Sequence, residues 1–166
     1  MKIVKEILPY MFIIIIVIIL RTFVVTPAQV IGSSMEPTLY NSEIIILNKI
    51  HYKLSNIKRF DIVVIKMDNE KALIKRVIGL PGEKVEYKDN KLYINGEYVP
   101  EDMTLNDETY DYILNYDKIP ANKYFVMGDN RNNTLDSRII GLIDEDNIVG
   151  KTNFVFFPLT KIRTVK

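Results

Sequence analysis

Two side chains stand out for their possible chemistry. Ser34 lies in the run Ile31-Gly32-Ser33-Ser34-Met35-Glu36-Pro37-Thr38-Leu39, and Lys75 in Ala72-Leu73-Ile74-Lys75-Arg76-Val77-Ile78. A serine hydroxyl becomes a useful nucleophile only when a neighbouring base removes its proton. Lysine can be that base only when neutral, and at an ordinary pKa of ~10.4 about one in 2,500 is neutral at pH 7. Burial in an apolar strand penalises the ammonium and lowers that pKa. Taken singly, a serine in a turn is usually plain loop, and a lysine in a half-buried sheet usually faces solvent. Together they match the Ser-Lys variant of triad logic.

The surroundings of Ser34 suit a rigid turn. Gly32 permits unusual backbone angles, Pro37 fixes φ, and Thr38 can bond to nearby backbone. Such a turn can hold Oγ in one direction and aim backbone N–H groups at a developing oxyanion. A third cluster, Gly128-Asp129-Asn130-Arg131-Asn132-Asn133-Thr134-Leu135-Asp136-Ser137-Arg138, is a loop by composition. It offers the hydroxyls that steer a buried amine and the ion pairs that hold a strained loop. His51, the single histidine, reads as a surface or strand-edge residue, so a Ser-His-Asp triad is disfavoured.

The elements that must position these groups are short and Ile/Val-rich. Glu43–Ile50, Asp61–Lys66, Ala72–Ile78, Lys84–Tyr87, Lys91–Val99, Tyr124–Met127 and Ile148–Phe157 read as strands. Lys91–Val99 contains Asn95-Gly96, the pair favoured in type I′ hairpin turns, where both central residues need positive φ. On the strand Ala72–Ile78, Lys75 and Arg76 face opposite sides, so one can point inward while the other is solvated or pairs with a carboxylate. Pro100–Pro120 is acidic, rich in Tyr and Asp and without period, and reads as an insertion or long surface excursion. No stretch after Pro27 shows a long 3.6-residue apolar period. The expected fold is therefore mostly β, a predominantly antiparallel sheet closed or sandwiched over residues 26–166.

Residues 1–25 differ from the rest. Ile7–Val25 is apolar apart from Pro9 and Arg21, and as a helix it rises about 28 Å, near the ~30 Å hydrocarbon core of a bilayer. This predicts a transmembrane anchor. Lys2 and Lys5 in front of it place the N-terminus in the cytoplasm and the remainder outside. A cleavable leader ending near Thr26-Pro27-Ala28 is the competing reading. The apolar run is longer than the usual 7–15-residue core, and proline before the cut is unfavourable.

The chain has 166 residues and a net charge of +1, enough for one compact domain and without a basic footprint for nucleic acid. It has no cysteine, which excludes disulfides, thiolate nucleophiles and cysteine-ligated metals.

These stretches, in this order, resemble the type I signal peptidases, membrane-bound Ser-Lys endopeptidases, in the short single-span form of Gram-positive bacteria. Ser34–Leu39 is similar to the nucleophile box. Arg59-Phe60-Asp61-Ile62-Val63-Val64 is similar to the strand after it, with Phe60 where glycine is commoner. Lys75–Glu83 is similar to the general-base box and Gly128–Arg138 to the last one. The resemblance implies that Ser34 is the nucleophile, Lys75 the base, and Thr134 the hydroxyl that orients the lysine. It further implies that Asp136 with Arg138 and Asp129 with Arg76 support the site. Gly32 stands where some members carry a serine that assists the oxyanion, which would leave that task to backbone N–H, chiefly that of Ser34.

The implied fold is a transmembrane helix followed by a catalytic β-domain of the signal peptidase and repressor-protease type. The implied partners are signal peptides of exported preproteins, cut after small residues, and the lipid bilayer. No metal or cofactor is expected. A self-cleaving repressor-type protease and a non-catalytic tethered β-module are the alternatives. The anchor disfavours the first, and labelling of Ser34 by a serine-directed acylating inhibitor separates the second from the enzyme.

Overall fold

The computed structural model describes residues 2–19, 25–49, 56–67 and 72–166. His51 and Arg21 lie outside these residues, as does the stretch 20–24 of the expected anchor.

The chain begins with helix α1 (Lys2–Ile19), which contains Pro9. Its apolar side chains from Ile7 to Ile16 are exposed. Lys2, Lys5 and Glu6 occupy its first turns, and residues 7–19 rise only about 20 Å. No helix among the described residues is long and apolar enough to cross a membrane. Val25, expected to close the apolar span, instead opens strand β1 (Val25–Gln29), because it pairs with Asn48 of β2 (Ile44–Asn48).

From Val25 onward the described chain is antiparallel β structure. The larger sheet is built on β3 (Ile62–Lys66), β4 (Ala72–Gly79), β9 (Lys123–Met127), β10 (Ile143–Asp144), β11 (Ile148–Thr152), β12 (Phe154–Phe157) and β13 (Arg163–Thr164) together with β1 and β2. Its order is β10-β9-β4-β3-β11-β2-β12-β13, with β1 against β2. The smaller sheet runs β7 (Glu97–Val99), β6 (Lys91–Ile94), β5 (Val85–Lys88), β8 (Tyr112–Ile113). The β6–β7 turn has Asn95 at φ 53° and Gly96 at 85°, the two positive angles that the sequence called for.

Two expectations change in detail. Ile148–Phe157 is two strands, parted at Asn153: β11 pairs with β3 and touches β2 at one residue, whereas β12 pairs with β2 and β13. The acidic stretch 100–120 is not wholly an excursion either. It contributes β8 to the smaller sheet, and Leu114 and Ile119 to the core.

Three apolar clusters hold the fold. The first joins Val30, Met35 and Leu39 to Ile45, Leu47, Ile62, Val64 and Val155. The second seats the smaller sheet on the larger through Val85, Tyr87 and Leu92 against Ile78, Phe125 and Met127. The third, with Val63, Ile65, Val77 and Val126, covers another part of the sheet. Strand β3 is therefore buried over four consecutive residues, which explains its unbroken Ile-Val-Val-Ile run.

Candidate active site

Ser34 enters its position through its neighbours. Gly32 has φ 89°, in the left-handed region that side chains rarely adopt, and its N–H donates to Asn41 Oδ1 at 2.9 Å. The backbone closes through tight turns by Glu36 N to Ser33 O (3.1 Å) and Leu39 N to Met35 O (2.9 Å). Met35 and Leu39 are fully buried and pin these turns to the core; each such burial is worth roughly 1.5–3 kcal/mol. The half-buried Ser34 precedes both pins, so its direction is set by groups that cannot easily move.

Lys75 comes from the middle of β4, opposite Val63 of β3. It is 1% exposed, and its Nζ lies 2.7 Å from Ser34 Oγ, donating to it in the charged form. Burial pushes its pKa down to about 8, partly opposed by the carboxylates of Asp136 and Asp129. About one lysine in ten is then neutral at pH 7.

Arg76, its neighbour on the strand, is also buried rather than solvated. Nε donates to Asp129 Oδ1 at 2.8 Å and Nη2 to Oδ2 at 2.6 Å, while Nη1 donates to Phe60 O and Nη2 also to Thr38 Oγ1. Both side chains of this ion pair are fully excluded from solvent. Phe60 takes φ 69°, an angle glycine adopts at no steric cost, and its carbonyl there meets Arg76.

The loop 128–138 closes over the turn. Asn130 N donates to Ser34 O at 3.1 Å, Asn130 Nδ2 to Ser33 O, and Asn133 Nδ2 to Ser33 Oγ. Gly128 runs so close that an added Cβ would collide with Thr134 and with Ser34 O. Asp136 caps the short helix α2 (Ser137–Ile140), accepts from Gly128 N, and pairs with Arg138 at 2.8 Å. All seven residues singled out in the sequence thus lie in one connected region, with one difference. Thr134 Oγ1 is buried without a hydrogen-bond partner among the described residues, and it makes no bond to Lys75.

A small cleft of about 160 Å³ opens beside the pair, between Gln29–Gly32 and Ala72–Lys75, with Met35 and Val64 in its wall. Among the described residues, 72–75 of β4 pair with β3 only, and β1 pairs only with β2. Two strand edges therefore face the cleft, suited to receive an extended peptide. Ser34 N–H has no acceptor among the described residues and can serve as an oxyanion donor.

Sequence reasoning missed Arg131, Tyr87, Glu101 and Thr109, which form a buried network behind the loop. Arg131 lies in a loop expected to carry ion pairs but with no partner assigned to it, the acidic stretch reads as an insertion or surface excursion, and the pairings span 22 to 44 positions.

Comparison with known proteins gives the family. The family model of signal peptidase, peptidase S26, matches residues 3–157. The chain belongs to that family. It is 43% identical to signal peptidase I P of Bacillus subtilis subsp. natto over 162 residues, covering 92% of this chain and 88% of that protein. It is 39% identical to signal peptidase IB of Staphylococcus aureus strain N315 over 165 residues, covering 90% and 86%. A crystal structure of a signal peptidase I from Enterococcus faecalis V583 superposes with a TM-score of 0.52 at 35% identity, covering 58% of this chain and 97% of that one.

Proposed function

We propose that this chain is a membrane-bound serine endopeptidase that removes signal peptides from exported preproteins with Ser34 as nucleophile and Lys75 as general base. The observation that carries the proposal is the 2.7 Å approach of a buried lysine amine to the Ser34 hydroxyl. Neutral Lys75 takes the Ser34 proton as Oγ bonds to the scissile carbonyl carbon. The N–H of Ser34 donates to the oxyanion, an interaction worth roughly 3–4 kcal/mol when well placed. The intermediate collapses, Lys75 returns the proton to the departing amine, and the mature chain leaves. Water, deprotonated by Lys75, then attacks the ester and frees the leader with its new carboxylate. The pairs Arg76–Asp129 and Asp136–Arg138 hold the surrounding backbone.

The small cleft beside Ser34 favours small side chains before the cut, in the Ala-x-Ala manner. Residues 1–24 serve as a single-pass anchor with the N-terminus cytoplasmic, and residues 25–166, which begin with β1, as the extracytoplasmic catalytic domain. The exposed apolar run of α1 and the basic residues before it support this topology.

The test is a serine-directed acylating inhibitor on the detergent-solubilised protein, with Ser34→Ala and Lys75→Ala alongside. One adduct on Ser34, and loss of leader-peptide cleavage in both variants, is expected. A folded Ser34→Ala protein that still cleaves at full rate would refute the assignment.

A further inference from the structure

Behind the loop 128–138 sits a second buried cation that the acyl-transfer chemistry does not use. Arg131 is 1% exposed. Its Nε donates to Gly128 O at 3.1 Å, its Nη1 to Thr109 Oγ1 at 2.5 Å and Tyr87 Oη at 3.1 Å, and its Nη2 to Glu101 Oε1 at 2.5 Å. The guanidinium also stands 5.4 Å from the centre of the Tyr87 ring. Tyr87 Oη in turn donates to Glu101 Oε1 at 2.9 Å. The carbonyl of Arg131 accepts from Arg138 Nη2 at 2.6 Å, and Arg138 holds Asp136. One residue thus joins the strand β5, the 101–109 segment and both ends of the loop that touches Ser33 and Ser34.

We infer that Arg131, clamped by Glu101 and Thr109, is a positioning residue for the Ser34–Lys75 pair. The inference rests on the Ser-Lys reading above. The side chain of Arg131 fixes the carbonyl of Gly128. Gly128 lies against Ser34 O and Thr134, while Asp129 and Asn130, the next two residues, hold Arg76 and the backbone of Ser33 and Ser34. The 101–109 segment reinforces the loop from outside, since Asn106 N donates to Asp129 O at 3.4 Å. A guanidinium suits this place because its rigid fork reaches acceptors on three sides, which a lysine ammonium cannot match. Loosening the clamp lets the loop retreat from Ser34 and admits water to Lys75. The charged groups facing Lys75 are Asp129 and Asp136 from this loop; Arg76, on its own strand, turns to the other side.

The test uses the full chain in detergent and a soluble leader-like peptide, with Arg131→Gln, Arg131→Lys, Glu101→Gln and Thr109→Val. For Arg131→Gln, kcat falls about 100-fold, as misplacement of reacting groups by an ångström allows, with KM little changed. The midpoint of kcat against pH rises by about one unit as Lys75 regains solvent. Glu101→Gln and Thr109→Val move kcat and midpoint in the same directions by smaller amounts, and Arg131→Lys does not restore the wild-type values. A merely structural staple would lower the melting temperature and leave the midpoint in place, and that result overturns the inference. If Arg131→Gln does not fold, unchanged kcat and midpoint in both milder variants overturn it equally. Ser34→Ala separates the two claims: activity there sinks the Ser-Lys reading, whereas an inactive Ser34→Ala beside a wild-type-like Arg131→Gln sinks only this one.

Discussion

Lys75 Nζ reaches Ser34 Oγ at 2.7 Å across 41 positions of sequence, from the centre of a sheet to the turn pinned above it. Because the amine must be neutral to accept the serine proton, the rate of Ser34 acylation should follow the titration of Lys75. With that pKa near 8, the neutral fraction rises about 50-fold between pH 6 and pH 8 and only about twofold beyond. Single-turnover acylation measured from pH 6 to 10 should show one rising limb with its midpoint near 8. A rate independent of pH over that range would contradict the role of Lys75.

The same depression makes Lys75 a cost to the fold. In the unfolded chain it titrates near 10.5 and in the folded chain near 8. Below pH 8 both states hold the proton, and the folded state bears the full penalty of a buried ammonium. Between 8 and 10.5 the unfolded state binds more protons, so this contribution to stability rises with pH, and above 10.5 it is level. The shift corresponds to about 3 kcal/mol, of which loss of the bond to Ser34 returns about 1. Lys75→Met should therefore be inactive yet more stable by about 2 kcal/mol at pH 6, with the gain shrinking toward pH 10. Urea melts at both pH values decide it.

Arg76 and Asp129 exclude each other from water completely, so neither can lose its partner cheaply. Asp129→Asn should destabilise the protein by about 3–5 kcal/mol, because it leaves a guanidinium buried without a counter-ion. Replacing both by apolar residues of similar volume should recover much of that loss while activity stays low. Urea melts and a cleavage assay on the single and double variants read the two effects apart.

Which of these features the sequence revealed follows from the range of the interactions. Strands such as Ile62–Lys66 and the turn at Asn95-Gly96 are local patterns, and they are where the pattern places them. Ser34 and Lys75 were legible because few residue types can form such a pair, and the ordered boxes around them narrowed the choice. Val25 was drawn into the apolar run, because hydropathy cannot tell a membrane segment from a strand that pairs with Asn48. The clamp on Arg131 was invisible, since Glu101 and Thr109 lie 30 and 22 positions away in an acidic stretch without period. Burial converts that stretch from solvated surface into support for the loop that touches Ser33 and Ser34, and burial is not a local property.

The exposed apolar side chains of α1 lead to a prediction about substrate form. Among the described residues, the three apolar clusters contain no member before Ala28. The protein shortened by deletion of residues 1–24 should cleave a short soluble peptide at close to the full rate. On a leader held in phospholipid vesicles it should lose about 100-fold or more, because enzyme and substrate are no longer confined to one surface. Equal losses on both substrates would argue against an anchor that acts by concentration.

Two glycines near the serine separate strain from collision. Gly32 has open space around its Cα but φ 89°, so Gly32→Ala should cost about 1 kcal/mol of stability through the backbone alone. Gly128 has no such angle, but a methyl there would strike Thr134 and the carbonyl of Ser34. Relief requires the turn and the loop to part, which breaks the bond from Asn130 N to Ser34 O and draws Oγ away from Lys75. Gly128→Ala should therefore lower kcat about 100-fold, with KM for a short peptide little changed. Gly32→Ala should lower the melting temperature more than it lowers kcat. If the two variants lose rate and stability in the same proportion, close approach at Gly128 is not what places the nucleophile.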